Sequence, residues 1–89
     1  MEKSLANFLD MDGKLKVFPS KQKDRLLVLR HLASRFETGR TYTEFEVNDI
    51  LDLSHTFGDR CLLRRELYNN HLLGRERNGS AYWLEEETT

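Results

Sequence analysis

The chain has 89 residues, 38% hydrophobic and 33% charged, with a formal net charge of −1. That length supports one small domain around one core, and no apolar run approaches the roughly 18 residues of a membrane-spanning helix. A single cysteine, Cys61, excludes an intramolecular disulfide and a cysteine-rich zinc site. The N-terminus shows no charged-then-apolar leader, so a cytoplasmic location is expected.

Residues 4 to 9 read as a short helix, capped by Ser4, with Leu5, Phe8 and Leu9 at helical spacing. Asp12-Gly13 marks a turn, and Lys14 to Phe18 alternates as a short strand with Leu15 and Val17 on one face until Pro19 breaks it. Ser20 or Lys21 opens a long helix to about Glu37. Its apolar stripe is Leu26, Leu29, Ala33 and Phe36, widened by Leu32, and Gly39 ends it.

Thr43-Glu44-Phe45-Glu46 is a capping box: the Thr43 hydroxyl accepts from the Glu46 amide and the Glu46 carboxylate reaches back. The helix behind it buries Val47, Ile50 and Leu51 and stops near Leu53. After a short loop containing Gly58, Asp59 caps a third helix from about Arg60 to Asn70. Leu72 and Leu73 begin a strand. Asn78-Gly79 predicts a two-residue type I′ hairpin that sets Arg77 against Ser80, Arg75 against Tyr82 and Leu73 against Leu84. Trp83 then falls opposite Gly74, where its ring covers the missing side chain.

Three helices followed by a hairpin give the expected fold class: a small α+β winged helix-turn-helix-like domain, with a short helix and strand in front. The expected organisation is one domain over 1–89. It comprises an N-terminal extension (1–18), a helical core (20–71), a hairpin wing (72–84) and a frayed tail (85–89).

In such a domain the third helix is the one that enters a major groove. Leu63 and Leu67 share its inward face; Cys61, Arg65 and Tyr68 lie roughly opposite, with Leu62 and Asn69 nearby and Arg64 on the flank. Arginine pairs with guanine and asparagine with adenine in a major groove, so Arg64, Arg65 and Asn69 are candidates for reading or bordering it. The plainer alternative pairs the arginines with Glu66 or with acidic residues of the second helix. Lys21, Lys23 and Arg25 crowd a helix N-terminus, which the helix dipole disfavours for cations and favours for anions, as phosphate contacts would explain; the alternative is a solvated face. Arg75 and Arg77 on the hairpin are candidates for the flanking backbone, unless Arg75 stacks on Tyr82. Cys61, Leu62 and Tyr68 make the outward face partly apolar, which suits a protein interface or a second copy of the chain.

Charge is unevenly distributed: residues 14 to 40 are rich in Lys and Arg, 44 to 59 are acidic, 60 to 77 are basic again, and Glu85 to Glu87 close the chain. Other chemistry lacks a pattern. His31, His55, His71 and Cys61 match no zinc-ligand spacing. Asp10-Met11-Asp12-Gly13 lacks the downstream ligands of a calcium loop. Phosphate-cradling glycine loops and nucleophile elbows are missing. No cofactor, metal or enzymatic role is expected.

The strings YTEFEVNDIL (42–51), DRCLLRREL (59–67) and LLGRERNGSAYW (72–83), with DMDGKLKVFPSK near the start, resemble a bacterial domain-of-unknown-function family (number two-zero-eight-seven) over about residues 8–84. The matching positions are Tyr42, Thr43, Glu44, Glu46, Val47, Asn48, Asp59, Leu63, Arg64, Arg65, Leu67, Tyr82 and Trp83. The resemblance implies a winged-helix-like fold and, through members fused to helix-turn-helix regulators, a role linked to transcription. It implies no catalytic or cofactor residue. His71 stands where the family commonly has a helix-ending glycine, which speaks against a left-handed cap there.

The expected function is therefore non-enzymatic DNA binding in transcription regulation. The competing expectation is a winged-helix-shaped module that docks a regulator protein or its own copy.

Overall fold

A computed structural model describes residues 5–85; the Ser4 cap and residues 86–89 of the expected tail lie outside them. A 3-10 turn (Leu5–Phe8) precedes helix α1 (Gln22–Ala33), strand β1 (Thr41–Tyr42), helices α2 (Glu44–Asp52) and α3 (Arg60–Asn69), and strands β2 (Leu73–Arg75) and β3 (Tyr82–Leu84). The strands form one antiparallel sheet in the order β1-β3-β2. Helix α3 packs against α1, α2 and β2, so the third helix and the hairpin share one core. This is the expected small α+β winged-helix-like architecture.

The core gathers Val28, Leu29, Leu32, Ala33 and Phe36 with Tyr42, Val47, Leu51, Leu63, Leu67, Leu73 and Tyr82. Within α1 the buried stripe turns on Val28, Leu29 and Leu32, while Leu26 is only half-buried. The helix also ends earlier than its apolar spacing suggests. Ser34 caps it, and the amides of Arg35 and Phe36 bond three residues back (3.1 and 3.0 Å), tightening the chain into a 3-10-type exit. That exit still buries Phe36, edge-on to Tyr42 at 5.1 Å. Gly39 does not cap α1. With φ +81° it turns the chain into β1, a strand the sequence reading missed.

The strand expected at 14–18 shrinks to one residue. Leu15 bridges Leu9 on one side and His55 on the other; its N–H donates to Ser54 C=O (2.7 Å) and its C=O accepts from Thr56 N–H (3.0 Å). Leu15 is fully buried, whereas Val17 is 47% exposed, because pairing with a loop leaves no second face to cover. The Asp10 carboxylate accepts from the amides of Asp12 and Lys14 (both 2.9 Å), so Asp10–Gly13 is an Asx-type turn.

Both links of the capping box are present: Glu46 N–H to Thr43 Oγ1 at 3.1 Å and Thr43 N–H to Glu46 Oε1 at 2.9 Å. Asp59 caps α3 by accepting from Leu62 N–H at 3.1 Å. Between these helices His55 is buried. Its Nδ1 lies 2.6 Å from Leu51 C=O and its Nε2 accepts from Asp59 N–H at 2.9 Å, so one neutral ring ties the end of α2 to the cap of α3.

At the far end of α3 the reading from His71 is overturned. His71 has φ +62°, its N–H bonds Tyr68 C=O (3.1 Å), and Leu72 N–H bonds Leu67 C=O (2.9 Å). That pair of bonds is a Schellman cap, completed by Leu72 packing on the core.

The hairpin register is as expected: Leu73 faces Leu84, Gly74 faces Trp83 and Arg75 faces Tyr82. A Cβ at Gly74 would overlap the Trp83 indole. The turn differs. Glu76 N–H pairs with Ala81 C=O (2.9 Å), and Gly79 N–H closes on Glu76 C=O (2.9 Å) with Gly79 at φ +73°. His71 is the sole non-glycine with positive φ among the described residues, so the Asn78-Gly79 pair is not a type I′ turn. Instead Asn78 Oδ1 accepts from Ser80 N–H at 3.0 Å, a local bond that stabilises a longer loop. Arg77 and Ser80 therefore lie in the loop and are not a ladder pair.

Candidate nucleic-acid interface

A cleft of about 370 Å³ separates the outward face of α3 from the sheet. Its lining includes Arg64, Arg65 and Asn69 of α3, Arg75 of β2, and the Tyr68 and Tyr82 rings. Cys61 and Glu44 complete it. Helical spacing places Cys61, Arg65, Tyr68 and Asn69 outward, and the hairpin register brings Arg75 across to them.

The three arginines have different fates. Arg64 is committed to α2. It donates a short hydrogen bond to Asn48 Oδ1 and lies 3.8 Å from Glu44 Oε1, with its side chain 21% exposed. Pairing with the second helix, the plainer alternative for this residue, is what the structure has. Its Nη2 also reaches Cys61 Sγ at 3.9 Å. Arg75 stacks over Tyr68 at 4.9 Å rather than over its ladder partner Tyr82. The Tyr82 hydroxyl, then the Tyr68 hydroxyl, favour the charged form of Arg75 and raise its already high pKa. Arg65 is exposed and makes no hydrogen bond or ion pair among the described residues.

The remaining candidates fall elsewhere. Lys21 is the exposed N-cap residue of α1 and its side chain makes no cap bond; Lys23 is exposed in the first turn. This end of α1 meets the end of α3 through Gln22 Nε2 to Asn70 Oδ1, at 3.5 Å. Arg25 is occupied: its Nε donates to Pro19 C=O at 2.8 Å and its guanidinium lies 5.3 Å from the Phe18 ring centre. Arg77 sits at the exposed hairpin loop. Of the apolar trio on α3, Leu62 is half-buried, Cys61 is exposed, and Tyr68 is 41% exposed under Arg75. Arg65 and Arg75 therefore interrupt that patch.

Sequence reasoning missed Glu44 and Tyr82 as parts of the cleft. Glu44 opens α2 beside the capping box, and its Oε1 lies 3.5 Å from the Tyr82 hydroxyl. Two more carboxylates of the acidic block pair across the fold: Asp52 with Arg60 at 2.8 Å and Glu46 with Arg40 at 3.2 Å. No cluster of three metal-ligating side chains occurs among the described residues, and no described helix is long and apolar enough to cross a membrane.

The fold and cleft define the class: a small winged-helix-like α+β domain with a basic groove between its third helix and its wing. The chain belongs to DUF2087, a family described as an uncharacterized protein conserved in bacteria, whose model matches residues 14–84. No curated protein and no solved structure matches it significantly.

Proposed function

We propose that the domain is a non-enzymatic nucleic-acid-binding module of the bacterial cytoplasm, linked to transcription regulation, that grips duplex DNA between α3 and the hairpin. The observation that carries the reading is the cleft itself, where three arginines from α3 and β2 converge beside Asn69 and one of them, Arg65, is left exposed and uncommitted. Arg65 and Asn69 stand one helical turn apart on the outward face, the spacing at which side chains reach neighbouring base edges or phosphates. Arg75, held over the Tyr68 ring, presents its charge without a large ordering cost on binding. Lys21, Lys23 and Arg77 extend the contact to flanking phosphates, and Arg64 borders it. The formal net charge of −1 provides no long-range attraction, so one copy binds weakly and a homodimer or a regulator partner strengthens the grip.

The test is fluorescence anisotropy on random-sequence duplex across a salt series. Affinity falls linearly in log salt, and Arg65→Ala and Arg75→Ala each make the slope shallower by about 0.9, the value of one phosphate contact. Absence of binding even at low salt, or variants that bind as the parent does, overturns the proposal.

A further inference from the structure

Among the described residues, Glu44 is the one acidic side chain that lines the cleft. Its Oε1 takes both of its cleft contacts, Arg64 Nη2 at 3.8 Å and the Tyr82 hydroxyl at 3.5 Å, each at the long end of its range. The side chain is 48% exposed. The groups it touches do not depend on it. Arg64 is held by Asn48 and the Tyr82 ring by the core, while Arg75, beside them in the cleft, is held by the Tyr68 ring. Capping does not depend on it either, since Thr43 and Glu46 complete the box. As the first residue of α2, Glu44 sits where a carboxylate interacts favourably with the helix dipole.

We propose that the Glu44 carboxylate occupies the seat of a phosphate group, and that an entering phosphate displaces it, takes over Arg64 and the Tyr82 hydroxyl, and gains Arg75 across the cleft. The inference rests on the reading of the cleft as a nucleic-acid interface and adds a built-in competitor to it. A carboxylate at two long contacts is a weak partner for a guanidinium. A phosphate offers more acceptor oxygens and pairs with several donors at once. Glu44 thus lowers affinity for any single phosphate and leaves binding to ligands that supply further contacts to Arg65 and Asn69.

The experiment compares the parent with Glu44→Gln, whose amide keeps the size of the carboxylate and removes its charge. Two probes are used: labelled random duplex by anisotropy, and inorganic pyrophosphate by NMR of the arginine Nε–H signals. Glu44→Gln is expected to tighten duplex binding about fivefold at low salt, the worth of one unit charge at about 4 Å in water. Pyrophosphate is expected to shift the Arg64 and Arg75 signals at lower concentration in the variant. If duplex binds both proteins equally and pyrophosphate shows no gain, the Glu44 inference falls while the nucleic-acid reading stands. If pyrophosphate gains and duplex binds neither protein, the phosphate seat stands, its natural ligand is a free phosphate compound, and the nucleic-acid reading falls. If neither probe engages either protein, both fall.

Discussion

Replacing His71 by glycine is expected to stabilise the domain. His71 closes α3 with φ +62°, in the left-handed region where an L-residue crowds its Cβ against the following carbonyl at a cost of about 1–2 kcal/mol. The position cannot relax into a right-handed conformation without losing the bonds from His71 N–H to Tyr68 C=O and from Leu72 N–H to Leu67 C=O. Those bonds aim Leu72 at the core and Leu73 into β2. The imidazole is exposed and makes no hydrogen bond or ion pair among the described residues, so nothing is lost with it. Against the relieved strain stands the extra freedom of glycine in the unfolded chain, about 0.5–1 kcal/mol. The net gain is about 0.5–1 kcal/mol, or roughly 2–8 °C in Tm for a domain of this size. Urea and thermal melts of His71→Gly and His71→Ala test it. Glycine should raise the midpoint with an unchanged m value, and alanine, which shares the strain, should not. A glycine variant no more stable than the parent would refute the strain argument.

His55→Ala should cost about 2 kcal/mol in denaturant melts, because the buried ring leaves a void and its bonds to Leu51 C=O and Asp59 N–H are lost; a loss below about 0.5 kcal/mol would remove His55 from that corner's support. Glu46 has its pKa lowered, chiefly by the Thr43 N–H and also by Arg40. A depressed folded value contributes stability above the ordinary glutamate pKa and loses it as pH falls through the folded value. Glu46→Ala should therefore melt below the parent at neutral pH, with a gap that narrows on acidification; a gap that stays constant with pH contradicts the assignment.

The parts of the fold legible in the sequence are those fixed by local chemistry. The Thr43–Glu46 box, the Asp59 cap, the Leu63/Leu67 face and the Gly74–Trp83 register each follow from residues close in the chain or from period-two pairing. The parts missed depend on distant partners. β1 is two residues long, too short to show alternation, and exists because Tyr82 and Trp83 are there to pair with Tyr42 and Thr41. Leu15 is buried because a loop some forty residues later accepts its backbone. Asn78-Gly79 signals a hairpin correctly but not its turn, since the Asn78 side chain offers the backbone a competing bond. In the cleft, the α3 candidates and Arg75 were legible from helical and strand spacing. Glu44 was not, because its neighbours across the fold, Arg64 and Tyr82, lie 20 and 38 residues away in sequence.

Adjacent arginines show why charge runs in a sequence are a poor guide to a binding surface. Arg64 and Arg65 differ by one helical step, about 100° around α3. That step turns Arg64 toward Asn48 and Glu44 and turns Arg65 to solvent. The same sorting operates elsewhere: Arg40 and Arg60 are drawn to the flanks of the acidic α2, and Arg25 is folded back on Phe18 and Pro19. Three arginines, Arg40, Arg60 and Arg64, thus pair with carboxylates of α2. At the cleft between α3 and the hairpin, Arg65 is the cation left to solvent, beside Arg64 held by α2 and Arg75 stacked on Tyr68. On the proposed reading, a net charge of −1 leaves local contacts at this cleft, rather than long-range attraction, to carry the binding.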